Sequence, residues 1–354
     1  MVAFGAERND RTRRSFLRKR FRLGEVLAEN LIRSVSFISF AVIVLIFMFV
    51  FREAAPIFSP KDRPTFSTEE LVQETYGDEA SAGSEDESIP PSVESSGSEG
   101  RATLDNLAGT QWQPVSQEPK YGLLPLMVGS AKITMISVLV GAPLAILAAL
   151  FTACFAPKRL RQILKPMIEF LAGFPSVVIG FFALVELATL FQSIFGSEYR
   201  LNAFVGGVAL SLAIIPIIYT VADDAFSSIP KYMTEASLAL GATKWQTALF
   251  VVLPAATPGV FAAILLGSGR AFGETMIVLM ATGNAALMSL DIFEPMRTMS
   301  ATIGAEMAEV VFGDTHYNVL FLIGSLLFIF TFVLNAVAEF YVRSRLMKRF
   351  RGEA

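Results

Sequence analysis

The stretch EASLALGATKWQTALFVVLP, Glu235–Pro254, decides the fold. Taken alone it is a short helix, a glycine and a second helix, the pattern of a DNA-reading helix-turn-helix. With its upstream flank the segment begins SSIPKYMTEASLALG. Pro230 suits the first position of a helix and Gly241 the residue just past its end. The helix between them has about ten residues, too few to cross a bilayer. Thr243 and Gln246 have capping-box spacing and open a second helix. Pro254 and Pro258 follow as the chain turns into a long apolar run. A DNA-reading module needs a soluble domain with a basic recognition face. This pair has two lysines and apolar flanks, so nucleic acid is not an expected partner. A purely structural loop is the competing reading on physics alone.

The flanks belong to a membrane protein. Of 354 residues 53% are hydrophobic and 17% charged, and 31 are phenylalanine, whereas soluble domains are roughly 45–50% apolar and about 25% charged. The single cysteine, Cys154, excludes an intrachain disulfide and a Cys-rich zinc site. The single histidine, His316, excludes a His-cluster metal site and argues against His-based catalysis. No catalytic residue, metal or cofactor is expected. The net charge of −3 carries little information because the charges are segregated along the chain.

Six runs have the roughly 20 mostly apolar residues that a spanning helix needs. They lie at about 32–51, 123–155, 167–191, 202–226, 257–282 and 317–342. Pro175 and Pro216 fall inside the third and fourth, where kinks rather than ends are expected. Lys and Arg cluster at the N-terminus, at PKRLRQILK (157–165), at Lys231 and Lys244, and at RSRLMKRFR near the C-terminus. With six spans and a cytoplasmic N-terminus, all four clusters fall on the cytoplasmic side, as the positive-inside rule requires. The chain is thus expected in the inner (plasma) membrane, multi-pass, with both termini cytoplasmic. Residues 1–31 form a basic N-terminal segment, 32–51 the first transmembrane helix and 346–354 a tail. Residues 52–120 are an extracytoplasmic acidic, low-complexity insert. Its middle, YGDEASAGSEDESIPPSVESSGSEGRA, cannot bury enough apolar surface to offset its chain entropy and reads as a disordered, solvated tether.

The residues of the quoted stretch then carry a resemblance. Glu235-Ala236-Ser237, three residues, Gly241, nine residues, Val251, one residue and Leu253-Pro254 is similar to the cytoplasmic EAA loop of ABC importer permeases, with Ser for Ala and Val for Ile as conservative departures. GLLPLMVGS, APKRLRQILKPMIEFLAGFPSVVIGFF and LLGSGRAFGETMIVLMATGN resemble the permease subunits of the phosphate importer, the PstC type more than PstA. The resemblance covers about 121–345 and leaves out the acidic insert. It implies an all-α membrane protein with six transmembrane helices and the type I ABC importer permease fold (CysTW/MetI-like), in the binding-protein-dependent transport permease family. It implies a coupling loop at 228–254, in which Glu235, Ala236, Ser237, Gly241, Leu253 and Pro254 meet an ATPase. It also implies the partners: a PstA-like permease as heterodimer, two copies of an ABC ATPase subunit, an extracytoplasmic phosphate-binding protein, and membrane lipid. The chain has no G-x-x-x-x-G-K-[ST] phosphate loop, so ATP hydrolysis falls to the separate subunit.

Arg270 and Glu274 sit near the middle of the fifth span, four apart and therefore on one helix face. A charge at that depth costs at least about 2.5 kcal/mol on insertion scales and usually lines a cavity or pairs. A guanidinium fork matches phosphate geometry, so Arg270 is the candidate pathway residue and Glu274 its orienting partner; a structural Arg–Glu pair is the competing reading. Gly267, Gly269 and Gly273 would let substrate or another helix come close. Lys132 is expected to snorkel outward and Glu186 to face the outer vestibule. Asp223 and Asp224, where the helix dipole disfavours anions, are expected to cap or to pair with the coupling loop, with Lys231 as the candidate partner. Trp245 and Met233 are docking candidates, and a membrane-surface anchor is equally open to Trp245. A permease for another oxyanion or solute stays open, as does, from another class, an ion-coupled secondary transporter. The intramembrane charges suit the latter and the EAA-type loop does not. A membrane scaffold leaves Arg270 unexplained.

Overall fold

The computed structural model describes the backbone of residues 23–58 and 104–341. The basic residues before 23, the acidic middle of the insert and the 346–354 tail lie outside them. The chain divides into two units, Met1–Val50 and Phe51–Ala354. The first contains most of helix α1 (Leu23–Ala54), which includes the expected span 32–51 and whose Phe37, Leu45 and Met48 are exposed.

The described residues of the second unit are almost wholly helical. A 3-10 turn (Ala55–Ile57) is followed in the described chain by α2 (Leu104–Leu107), a two-stranded hairpin β1 (Trp112–Gln113) and β2 (Lys120–Tyr121), and α3 (Leu124–Cys154). Next come α4 (Lys158–Ala172), α5 (Ser176–Phe182), a π-turn (Ala183–Leu187) and α6 (Ala188–Phe195). After α7 (Ala203–Ser227) and α8 (Lys231–Ala239), α9 (Lys244–Thr247) runs through a second π-turn (Ala248–Val252) into α10 (Leu253–Gly273). The chain closes with α11 (Met276–Ala281), α12 (Met299–Glu306) and α13 (Thr315–Tyr341). Among the described residues five helical stretches are long and apolar enough to cross a membrane: Leu124–Cys154, Ser176–Phe195, Ala203–Ser227, Lys244–Gly273 and Thr315–Val337.

Helix α7 is the centre of the bundle. Asn202 caps its start, its side-chain oxygen accepting from the Val205 amide at 3.0 Å. Its small residues then let neighbouring backbones close in, the usual device where no water is available to drive helices together. A Cβ on Gly207 would lie 2.4 Å from Cγ2 of Ile136 on α3, and one on Gly267 of α10 would lie 2.5 Å from Cγ1 of Ile218 on α7. Pro216 is accommodated inside α7 without ending it, as expected.

Three expectations are corrected. The third span begins at Ser176, not near residue 167. Pro175 stands outside the helix in an extended conformation (ψ 135°) after the C-cap Gly173, so Gly-Phe-Pro is a joint between α4 and α5. Proline disfavours helical geometry in the residue before it, and that preference prevails over the apolar run. The fifth span begins at Lys244, because α9 continues through the second π-turn into it, and it ends at Gly273. Glu274 is extended (φ −70°, ψ 131°), and Ser300 Oγ donates to its carbonyl oxygen at 2.7 Å. Finally, the low-complexity insert is folded toward its end. Leu107, Trp112 and Tyr121 are buried against α13, and Asn106 Oδ1 accepts from the Tyr121 amide at 3.1 Å.

Candidate functional site

The helix pair is built as a presented surface. Helix α8 ends in a Schellman motif: Gly241 takes the left-handed conformation (φ 88°), its N–H donates to Leu238 O at 3.0 Å, and the Ala242 N–H donates to Ser237 O at 3.2 Å. Two orphan carbonyls are satisfied and the chain reverses within three residues. Thr243 and Gln246 form the anticipated capping box, with Thr243 N–H donating to Gln246 Oε1 at 2.9 Å. The hydroxyls of Ser237 and Thr247, 3.0 Å apart, tie α8 to α9. Glu235 and Ala236 are exposed, Ser237 is half-buried, Leu253 packs on the core and Pro254 opens α10 from an exposed position. Leu240 (90% exposed), Phe250 (70%) and Trp245 (53%) leave the pair with an apolar outer face. Behind it, at the ends of α3 and α7, is an open cavity of about 330 Å³ lined in part by Arg161, Lys231, Lys244 and Thr247.

Asp223, on the last turns of α7 beside this cavity, has a completely buried side chain. Its partner is not Lys231. Arg161 Nη2 of α4 lies 3.1 Å from both carboxylate oxygens, and Lys165 Nζ lies 3.3 Å from Oδ2. Thr152 Oγ1 of α3 is 3.4 Å from Oδ1 and accepts from the Tyr219 hydroxyl at 3.1 Å. Arg161 also donates to Ser227 Oγ at 2.7 Å, and Asp224 reaches Lys165 at 3.6 Å. A buried carboxylate at the negative end of a helix persists only if it is paired and hydrogen-bonded, and here three helices converge to do that. Burial works against the Lys165 charge. The hydrogen bond and charge of Asp223, with Asp224 and Glu169, outweigh it and hold the ammonium above its ordinary range.

At the other end of α10 the candidate pathway residues separate. Arg270 is exposed on the same face as Leu266 and Gly273, and Glu274 has left the helix. The shared helix face therefore does not exist, and no Arg270–Glu274 ion pair forms among the described residues. Gly267 is taken up by packing on Ile218 of α7. A Cβ on Gly269 would meet Asn335 Oδ1 of α13 at 3.4 Å, and only Gly273 has open space beside it.

The far end carries a cluster that sequence reasoning missed. Glu306 accepts from Trp112 Nε1 at 3.1 Å, lies 2.9 Å from His316 Nε2 and pairs with Arg297, which donates to Asn284 O at 3.1 Å. Burial raises the Glu306 pKa, but hydrogen bonds from His316 and Trp112 and the Arg297 charge outweigh it and leave the carboxyl below its usual range. Lys132 does not snorkel. Its ammonium donates to the carbonyls of Ser289 and Asp291 and pins that loop. Glu186 is exposed on the first π-turn. Neither cluster has a signal at helical or strand spacing: Arg161 is 62 residues from Asp223, and Glu306 gathers Arg297 and His316 from nine and ten residues away and Trp112 from 194.

Membrane-length helices from which an exposed, capped helix pair projects are the architecture of a multi-pass membrane protein, not of a soluble binding module. A family model described as "Binding-protein-dependent transport system inner membrane component" matches residues 141–346, and the chain belongs to that family. It is 37% identical over 246 residues to the probable ABC transporter permease protein YqgH of Bacillus subtilis, covering 70% of this chain and 79% of that one. It is 32% identical over 253 residues to the phosphate transport system permease protein PstC of Mesorhizobium japonicum, covering 66% and 76%. Among solved structures it is similar to a bacterial ABC transporter involved in the import of the acidic polysaccharide alginate. There the TM-score is 0.53 at 14% identity, over 91% of this chain and 99% of that one. The chain is accordingly a multi-pass inner-membrane permease of the ABC importer class, and members of that class are not themselves catalysts.

Proposed function

We propose that the chain is the PstC-type permease subunit of an ATP-driven importer for inorganic phosphate. The observation that carries this is the exposed EAA-type helix pair, in a chain that is 32% identical to a PstC permease over two thirds of its length. In this reading Glu235, Ala236, Ser237, Gly241, Leu253 and Pro254 form the coupling element and seat it on an ABC ATPase. The apolar outer face of α8 and α9 fills the ATPase groove. A PstA-like permease completes the pathway, two ATPase copies drive it, and an extracytoplasmic phosphate-binding protein delivers the anion. ATP-driven closure of the ATPase dimer draws the coupling helices together and turns the cavity outward; hydrolysis and release return it inward. Both termini are cytoplasmic. Arg270 meets phosphate oxygens from the open face of α10, where no ion pair neutralises it among the described residues, and a guanidinium fork suits a tetrahedral oxyanion. Gly273 leaves room beside it, and Glu274 acts by holding the helix end. The test is purification of the complex and measurement of ATPase stimulation by its binding protein loaded with phosphate, sulfate or molybdate. Stimulation by phosphate alone is expected, and stimulation by another oxyanion in its place reassigns the substrate.

A further inference from the structure

Helix α4 lies outside the membrane-length helices and has no part in the reading above. It has 15 residues, too few to span, and is strongly amphipathic. Its roll about its own axis is fixed, because Arg161 and Lys165, one turn apart, are both held by the buried Asp223 of α7. That attachment splits the outward surface lengthwise. Ile163, Met167 and Phe170, spaced to lie along one edge, are 58%, 63% and 72% exposed. Lys158, Gln162 and Glu169 are exposed along the other edge. Arg159, one turn before Ile163, stands at the head of the apolar edge and is also exposed.

The apolar edge continues toward the bilayer. Phe170 packs edge-on against Phe174, with ring centres 5.5 Å apart, and Phe174 precedes the span that starts at Ser176. Lys158 and Arg159 form no ion pair among the described residues, and they occupy the first turn of α4, where the helix dipole disfavours cations. An anion at that place would relieve both the dipole and the two charges. A helix with one edge apolar and the other polar, joined directly to a membrane span, has the form of an interfacial helix.

We propose that α4 lies in the interface of the leaflet that carries the chain's basic clusters. Ile163, Met167 and Phe170 enter the acyl region, and Lys158 and Arg159 hold an anionic phospholipid headgroup. This stands apart from the identity of the transported solute.

The test uses the full-length chain, purified with its partner subunits, in nanodiscs of phosphatidylcholine with or without phosphatidylglycerol. Each lipid is supplied in turn with brominated acyl chains. Quenching of the tryptophan introduced by Phe170→Trp is taken as the difference from the parent, which carries Trp112 and Trp245. Quenching by both lipids is expected, with phosphatidylglycerol preferred. In Lys158→Gln/Arg159→Gln that preference should fall about fivefold per charge removed, while quenching by phosphatidylcholine persists. An absence of quenching, or quenching only in a chain stripped of its partners, assigns the face to a protein contact and overturns the proposal. Equal association of the two lipids in the parent, or an unchanged preference in the double variant, overturns the headgroup site.

Discussion

The pairing around Asp223 makes an asymmetric prediction. The carboxylate is fully buried, but the side chains of Arg161 and Lys165 are 37% and 33% exposed. At about 3 Å and an effective dielectric of about 20, each contact has a gross Coulomb energy of roughly 5 kcal/mol, most of it offset by the cost of drying the charges. Asp223→Asn strands two cations that can rehydrate, so the expected loss is that of hydrogen bonding to a charged acceptor, about 1.5–3 kcal/mol. Arg161→Gln with Lys165→Gln strands the carboxylate where water does not reach it, and the expected loss is about 3–5 kcal/mol. Adding Asp223→Asn to that pair removes the stranded charge and should restore most of the loss. The assay is reversible unfolding in mixed micelles, supported by membrane abundance at matched expression. The reasoning fails if Asp223→Asn alone is as damaging as the double cation variant, or if the triple variant recovers nothing.

Four further outcomes are expected. Gly241→Val forces a β-branched residue into a left-handed conformation (φ 88°), at about 1–2 kcal/mol or more; the chain should still insert but co-purify with less ATPase, and normal transport by this variant would refute the coupling role. Arg270→Gln should abolish phosphate uptake per assembled complex, Arg270→Lys should recover only part, and Glu274→Gln should do less harm; restored uptake in Arg270→Gln/Glu274→Gln would make Arg270 architecture. The Glu306 carboxyl is held below its usual value, so its contribution is present above the unfolded carboxylate pKa of about 4.5 and is lost as pH falls through the folded value. Proteolytic nicking of the 104–123 segment should therefore rise in acid, and Glu306→Gln should flatten that dependence. Deleting residues 76–101 should leave uptake per complex nearly unchanged, and a loss at normal abundance would show that the acidic segment binds a partner.

Much of the fold was legible because its signals are local. The Thr243–Gln246 capping box and the glycine stop at Gly241 are properties of a few neighbouring residues, and both appear as read. Apolar runs located the membrane helices but not their ends. Hydropathy does not distinguish an apolar residue in a span from one on an interfacial helix, so the last turns of α4, from residue 167, read as the start of the third span. The signal was present in KRLRQILKPMIEFL, whose apolar Ile163, Met167 and Phe170 recur at helical spacing while Arg161 and Lys165 keep to the opposite side. Glu274 lies just past the end of α10, and the partner of its carbonyl, Ser300, is 26 residues on, beyond the reach of a local pattern. Asp223 was recognised as needing a partner, but Arg161 is 62 residues away and Lys231 was simply nearer in sequence. In the candidate pathway only the exposure of Arg270 and the space beside Gly273 suit the assigned role, since Gly267 serves helix packing.

The glycine seam between α3 and α7 has a mechanical consequence. Ile136 sits where Gly207 has no side chain, and Gly141 receives Ser211 and Ile214 of α7. Sliding either helix by one residue would drive Ile136 into the Cβ of Val208 or Gly206 out of its seat under Ile133 and Thr282. The two helices can therefore tilt only together, as one beam. Relative movement of helices is easier where the chain leaves helix, among such places the Gly-Phe-Pro joint at 173–175 and the extended step at Glu274. A crosslink across α3 and α7 is therefore expected to be tolerated better than one that stiffens either joint.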